Sequence, residues 1–236
     1  RNYFIRSGSW LDIAADDRRF WNEVPSDKLL RQHLKPMAHG NWVDPDFATV
    51  LPVHMIFDET TRANDAIGDQ DGRTTWNVVV EGYRWSPDNR AEVDRGWITR
   101  ADSIRELALA IGRDPDAVER TITEFNDAAT TGRADEFGRD AERRAPIVAP
   151  PFYAVELVPG AAITTGGGRR DSRAQVLDQE GAPIPRLYEA GELGSMFCNL
   201  YQTGSMLTEA MLFGRIAGGN AAGELPWVNE ACETSR

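Results

Sequence analysis

The clearest hydrophobic rhythm in the chain lies between residues 103 and 125. Ile104, Leu107, Ala108 and Ile111 recur at i, i+3, i+4 and i+7 and stop at Gly112, the spacing of an amphipathic helix. Ser103, with Glu106 three residues on, is a capping-box pattern that starts it. A second helix opens with Asp114 as N-cap and Pro115 at its first position, and it sets Val118, Thr121, Ile122 and Phe125 on one face. Together they predict a helical hairpin. Upstream, residues 2–97 are rich in tryptophan, proline and aspartate and read as loops with short strand-like runs at 53–57 and 76–80. Residues 130–144 are polar and lead to Pro146, Pro150 and Pro151, which predicts an exposed loop and a domain boundary.

Beyond Pro151 the texture changes. Residues 152–158 and 161–165 predict strands, 187–190 a short buried strand, and 175–177 with the turn Asp178 to Gly181 a hairpin arm. Residues Ser205–Ala222 predict a helix apolar almost all round, with Gly214, Ala217, Gly218 and Ala221 as a small-residue stripe. Such a helix is expected to be buried against another backbone.

Composition narrows the classes. The 236 residues, 41% apolar and 9% aromatic, suffice for a real core in one or two domains. A net charge of -11 argues against a nucleic-acid or anionic-membrane surface, and no window of about eighteen apolar residues offers a bilayer span. Cys198 and Cys232 form neither a zinc spacing nor a disulfide framework, which fits a reducing cytoplasm. His33, His39 and His54 show no metal-ligand spacing, so no metal is expected. Arg1 is not an initiator residue and no leader follows it, so the chain is expected to be cut from something longer.

Candidate chemistry clusters in residues 161–220. The helix beginning at Gly204 and Ser205 offers N–H groups and a positive dipole end suited to the carbonyl edge of a flavin, or simply an N-capped helix start. Glu192, after Gly191, is placed to accept from a ribose or ribityl hydroxyl, or to be a surface residue after a turn. Thr164, Thr165, Gly166 and Gly167 set a hydroxyl and bare backbone beside a planar ring, or form a tight turn. Tyr201 carries a hydroxyl able to pass protons, on a body that also suits core packing. A G-x-G-x-x-G turn, the usual pyrophosphate cradle, is not among these residues.

In order and spacing these motifs resemble the fumarate reductase and ketosteroid dehydrogenase family of FAD flavoproteins, which also holds the succinate dehydrogenase flavoproteins. Asp17-Arg18-Arg19-Phe20-Trp21-Asn22-Glu23, Met55 to Glu59, Arg100 to Ala108, Phe125-Asn126 and Phe137-Gly138-Arg139 resemble the family's cap. Pro151 to Ala154, Thr165-Gly166-Gly167, Leu187 to Glu192 and Phe213 to Gly218 resemble its FAD-binding end. The resemblance implies an α+β fold: a capping domain with the helical hairpin at 1–150, then at 151–226 the strands and buried helix of a two-part, Rossmann-like FAD-binding domain, and a polar tail at 227–236. It implies that Glu192, after Gly191, contacts the FAD sugar chain, that Met206 and Leu207 reach the isoalloxazine through their backbones beside Gly204 and Ser205, and that Thr165 and Gly166 lie near the ring. The family's fumarate-binding His and Arg are replaced by Ala162, Ile163 and the run Phe197 to Tyr201. A less charged small-molecule substrate is expected, with Tyr201 assisting proton transfer. The dinucleotide-binding segment, roughly a hundred residues or more, would come from a missing N-terminal part or a second chain. The chain alone is then expected not to hold FAD tightly. The alternative is a flavin-free binding module or inactive remnant.

Overall fold

The computed structural model describes residues 5, 7–24, 51–68, 83–157, 166–194, 196 and 204–226. The chain divides into two compact units, 1–160 and 161–236. The strands expected at 76–80 and 161–165 lie outside the described residues, as do His33, His39, Cys198 and Cys232.

In the first unit β1 (Trp10–Ile13), β2 (Val53–Asp58), β3 (Thr99–Ala101) and β4 (Phe152–Leu157) form an antiparallel sheet in the order β1-β2-β4-β3. Trp10 lies opposite Phe57, and Phe57 opposite Tyr153. Every residue of β2 is buried because the sheet is covered on both faces, and the period of two sorts the side chains. Leu11, Ile13, Ile56 and Ala154 face one core, which Leu107, Ala108, Val118, Ile122 and Phe125 complete. Trp10, Val53, Met55, Phe57 and Tyr153 join Trp85 and Ile98 in the other.

Short helices α1 (Glu59–Asn64) and α2 (Arg90–Asp94) precede the expected hairpin, α3 (Ile104–Ala110) and α4 (Pro115–Thr131). The Ser103 side chain accepts from the Glu106 N–H at 3.2 Å, and Asp114 accepts from the Asp116 N–H at 3.0 Å. Gly132 ends α4 at φ 68°, the left-handed conformation that glycine adopts without strain.

Two buried polar side chains act as hubs. Asp58 Oδ2 accepts from the N–H groups of Val148 and Ala149, both at 3.0 Å, and from Ser9 Oγ, while Oδ1 caps α1 at Thr60. Asn89, fully buried, accepts from Ile67 N and Trp85 Nε1 and donates to the carbonyls of Arg62 and Asp65. His54 is also buried, 3.1 Å from an Arg113 nitrogen, and burial followed by that guanidinium lowers its pKa.

The polar stretch 130–144 is mostly exposed, as expected, but three of its charged side chains turn inward. Arg139 and Arg144 are buried, and so is the Asp135 carboxylate. Arg139 donates to the carbonyls of Gly8, Trp10 and Arg143 and lies over the rings of Trp10 and Phe125. Arg19 holds Glu23 bidentately at 2.8 Å and reaches Asp135 at 2.6 Å. Charges turn inward here because each finds a partner, the condition for burying an ion. Asp12 stands beside this network, fully buried, accepting from Trp21 Nε1 at 3.2 Å with Oδ1 unpartnered. Burial, then the neighbouring Glu23 carboxylate, pushes its pKa up to about 8.

In the second unit β5 (Arg169–Arg170), β6 (Gln175–Leu177) and β7 (Pro183–Tyr188) form an antiparallel sheet, followed by α5 (Ser205–Ala222). The expected turn is present, with the Asp178 N–H on the Ala182 carbonyl at 2.8 Å and Gly181 at φ 88°. Burial differs from expectation in two places. Leu187, placed in a buried strand, is 47% exposed at the edge of its sheet. The helix α5 buries only Met206, Glu209 and Phe213, leaving Leu207, Met211 and Leu212 exposed. A Cβ at Gly214 or Gly218 would meet nothing within 4 Å, so among the described residues no backbone lies against these glycines of the small-residue stripe.

The sequence boundary at 150/151 and the structural division at 160/161 also differ. The reason is β4, which pairs along its whole length with β2 and so belongs to the sheet of the first unit. Among the described residues no helix is long and apolar enough to cross a membrane.

Candidate functional site

The second unit joins sequence segments that carry the candidate residues. Gly166 and Leu193 form an isolated parallel bridge, with the Gly194 N–H on the Gly166 carbonyl at 2.9 Å. The glycine loop therefore runs beside the turn that holds Gly191 and Glu192. Gly191 is buried at φ 88°, and a Cβ there would lie 3.4 Å from the Cβ of Ala210. The turn thus lies in contact with α5, and it is the left-handed φ, which a side chain would strain, that calls for glycine at 191. The same helix begins at Gly204, in the left-handed conformation at φ 87° and without a side-chain cap, and continues through Ser205, buried Met206 and exposed Leu207. Glu192 is half-buried. Gly166, Gly191, Glu192 and α5 are thus one substructure; Thr165 and Tyr201 lie outside the described residues.

What fastens this substructure was not visible in the sequence. Arg170, on β5, has a guanidinium only 3% exposed and pairs with buried Glu209 on α5. It donates to the Leu193 carbonyl at 2.9 Å and lies 4.0 Å from the centre of the Phe213 ring. Glu209 Oε1 also accepts from the Met196 N–H at 2.8 Å. One guanidinium therefore ties the hairpin, the turn at 191–194 and α5 together. A planar fork suits this work, since it donates at its edge while stacking on a ring face. The two partners are 39 residues apart on different elements, and no local pattern marks them.

A groove of about 700 Å³ opens along this region, lined by Gly166, Gly167, Gly168, Gly194, Arg170, Met196 and Phe213 among others. A lining of bare backbone, a guanidinium and apolar side chains fits a ligand with both a planar ring and hydrogen-bonding edges. Glu189, the residue after β7, is buried next to these glycines, and its Oε1 has no hydrogen-bond partner.

A family model described as an FAD binding domain matches residues 6–206. An NADH:fumarate oxidoreductase of Klebsiella pneumoniae is 28% identical over 92% of this chain and 20% of its own length. A urocanate reductase of Eggerthella lenta is 34% identical over 71% of this chain and 27% of its own. Among solved structures, the 3-ketosteroid delta1-dehydrogenase of Sterolibacterium denitrificans superposes with a TM-score of 0.64 at 25% identity, covering 94% of this chain and 41% of that one. The chain therefore spans well under half the length of each of these relatives.

Proposed function

We propose, on the premise that this chain belongs to the FAD binding domain family, that it supplies part of the FAD site of an oxidoreductase acting on a small organic substrate. The observation that carries the reading is the joining of Gly166, the Gly191–Glu192 turn and α5 into one glycine-walled substructure. Bound FAD supplies hydride exchange at its N5. Glu192 would accept from a hydroxyl of the sugar chain, and Thr165 and Gly166 would hold the ring. The positive end of α5, at Gly204, Ser205, Met206 and Leu207, would hold the carbonyl edge of the ring and favour negative charge there. Tyr201 donates or relays the substrate proton.

The first unit takes the role of the family's capping domain. Dicarboxylates are poor candidates as substrates, because Ala162, Ile163 and residues 197–201 offer no His or Arg to bind a second carboxylate. A dinucleotide-binding segment, in the same polypeptide or a second one, covers the exposed Leu207, Met211 and Leu212 and completes the FAD site.

The test is a visible spectrum. The complete protein is expected to show oxidised-flavin bands at about 370 and 450 nm, and the chain alone to lose them on gel filtration. A complete protein without those bands overturns the reading.

A further inference from the structure

Among the described residues, Glu189 is a buried carboxylate beside the groove whose Oε1 finds no partner within the fold. It is 9% exposed, and its backbone N–H is fixed on the Ala174 carbonyl at 3.0 Å. A Cβ at Gly194 would lie 1.9 Å from Oε1, and one at Gly168 would lie 2.7 Å from Oε2. The carboxylate thus occupies space that exists only because both positions are glycine, and both glycines line the groove. Oε1 nonetheless has no hydrogen-bond partner. A buried acceptor without a donor costs stability, and a fold that had no use for it would be more stable with an apolar residue in its place. The cost is recovered when a donor arrives from outside the chain.

We propose that Glu189 contacts the cofactor: Oε1 accepts a hydrogen bond from an N–H or O–H donor of FAD, either the ring imide or a hydroxyl of the sugar chain. The inference rests on the FAD reading above. It assigns to Glu189 an affinity role separate from that of Glu192. A charged acceptor makes the stronger class of hydrogen bond, so its effect on binding is measurable.

The experiment is a fluorescence titration of FAD into the apo form of the complete protein, for the parent, Glu189→Gln and Glu189→Ala. The Kd is expected to rise about tenfold for Gln and about ten- to a hundredfold for Ala. The thermal midpoint of the apo Gln variant is expected to hold or to rise by about 2–4 °C, since the unpartnered charge is gone. These opposite signs set ligand contact apart from a structural role, which would lower affinity and apo stability together and would overturn the proposal. A Kd within about threefold of the parent's in both variants overturns it as well. If the parent itself binds no FAD, the FAD reading fails and this inference with it, a result the parent titration alone identifies. The midpoint potential of the bound flavin then names the donor: removing the charge raises it if the imide is the partner and leaves it unchanged if a hydroxyl is.

Discussion

Replacing Asp12 with asparagine should remove a pH dependence from the stability of the first unit. The carboxyl is fully buried in β1 and accepts from Trp21 Nε1 at 3.2 Å, while the Asp12 backbone N–H donates to Glu23 Oε1 at 3.3 Å. Burial and that second carboxylate hold its pKa at about 8, against 3.8 for an ordinary aspartate. Between those two values the folded chain keeps a proton that the unfolded chain has released, so unfolding releases a proton and stability falls as pH rises. The slope for one such group is about 1.4 kcal/mol per pH unit, giving a loss on the order of 3 kcal/mol from pH 5 to pH 7.5. Asparagine keeps the shape and the acceptor for Trp21 but cannot ionise. Urea denaturation followed by tryptophan fluorescence, at a series of pH values, should find the two proteins within about 1 kcal/mol at pH 5 and the variant increasingly favoured above it. Contributions of all other groups cancel in the difference. A difference that stays constant from pH 5 to pH 7.5 refutes the argument.

Arg170→Met removes the guanidinium that faces the buried Glu209 carboxylate and should destabilise the second unit by about 3–5 kcal/mol. Amide exchange at residues 191–194 should accelerate, and adding Glu209→Gln should restore part of the loss. Asp58→Ala strips the α1 cap and orphans the N–H groups of Val148 and Ala149, so denaturation should show a loss of about 3 kcal/mol or more. In the complete enzyme, Tyr201→Phe should slow stopped-flow flavin turnover with substrate by about 10²- to 10⁴-fold while leaving the flavin spectrum unchanged; a rate within about threefold of the parent's removes Tyr201 from the chemistry.

The helical hairpin was legible because its information is local: the caps Ser103 and Asp114 and the apolar positions of α3 and α4 all lie within a few residues of one another. The bounds of α5 were legible for the same reason. Its surroundings were not, since an apolar helix face says only that something should cover it, and within this chain Leu207, Met211 and Leu212 remain exposed. Residues 130–144 are mostly exposed, as their composition predicts, but three of their charges are not. Composition does not distinguish a solvated charge from a paired one, and Asp135 and Arg139 are paired inside through Arg19 and Glu23, which the sequence puts more than a hundred residues away. In the site, glycines and turns announced themselves, whereas Arg170 and Glu189 derive their meaning from neighbours that only folding supplies.

The position of β4 has a consequence for how the first unit is made. It is the last strand of its sheet to be synthesised, yet it lies between β2 and β3 and pairs with both. Until Phe152–Leu157 have left the ribosome, β2 presents an open edge and β3 has no partner in the sheet. The sheet is therefore closed last at its interior, like an arch that stands only when the keystone drops in, and its assembly must await contacts spanning nearly the whole segment, the kind that form slowly. An excised first unit that stops at residue 150, the boundary the prolines suggest, would lack that strand and expose two edges to aggregation; one extended through residue 160 would contain its whole sheet.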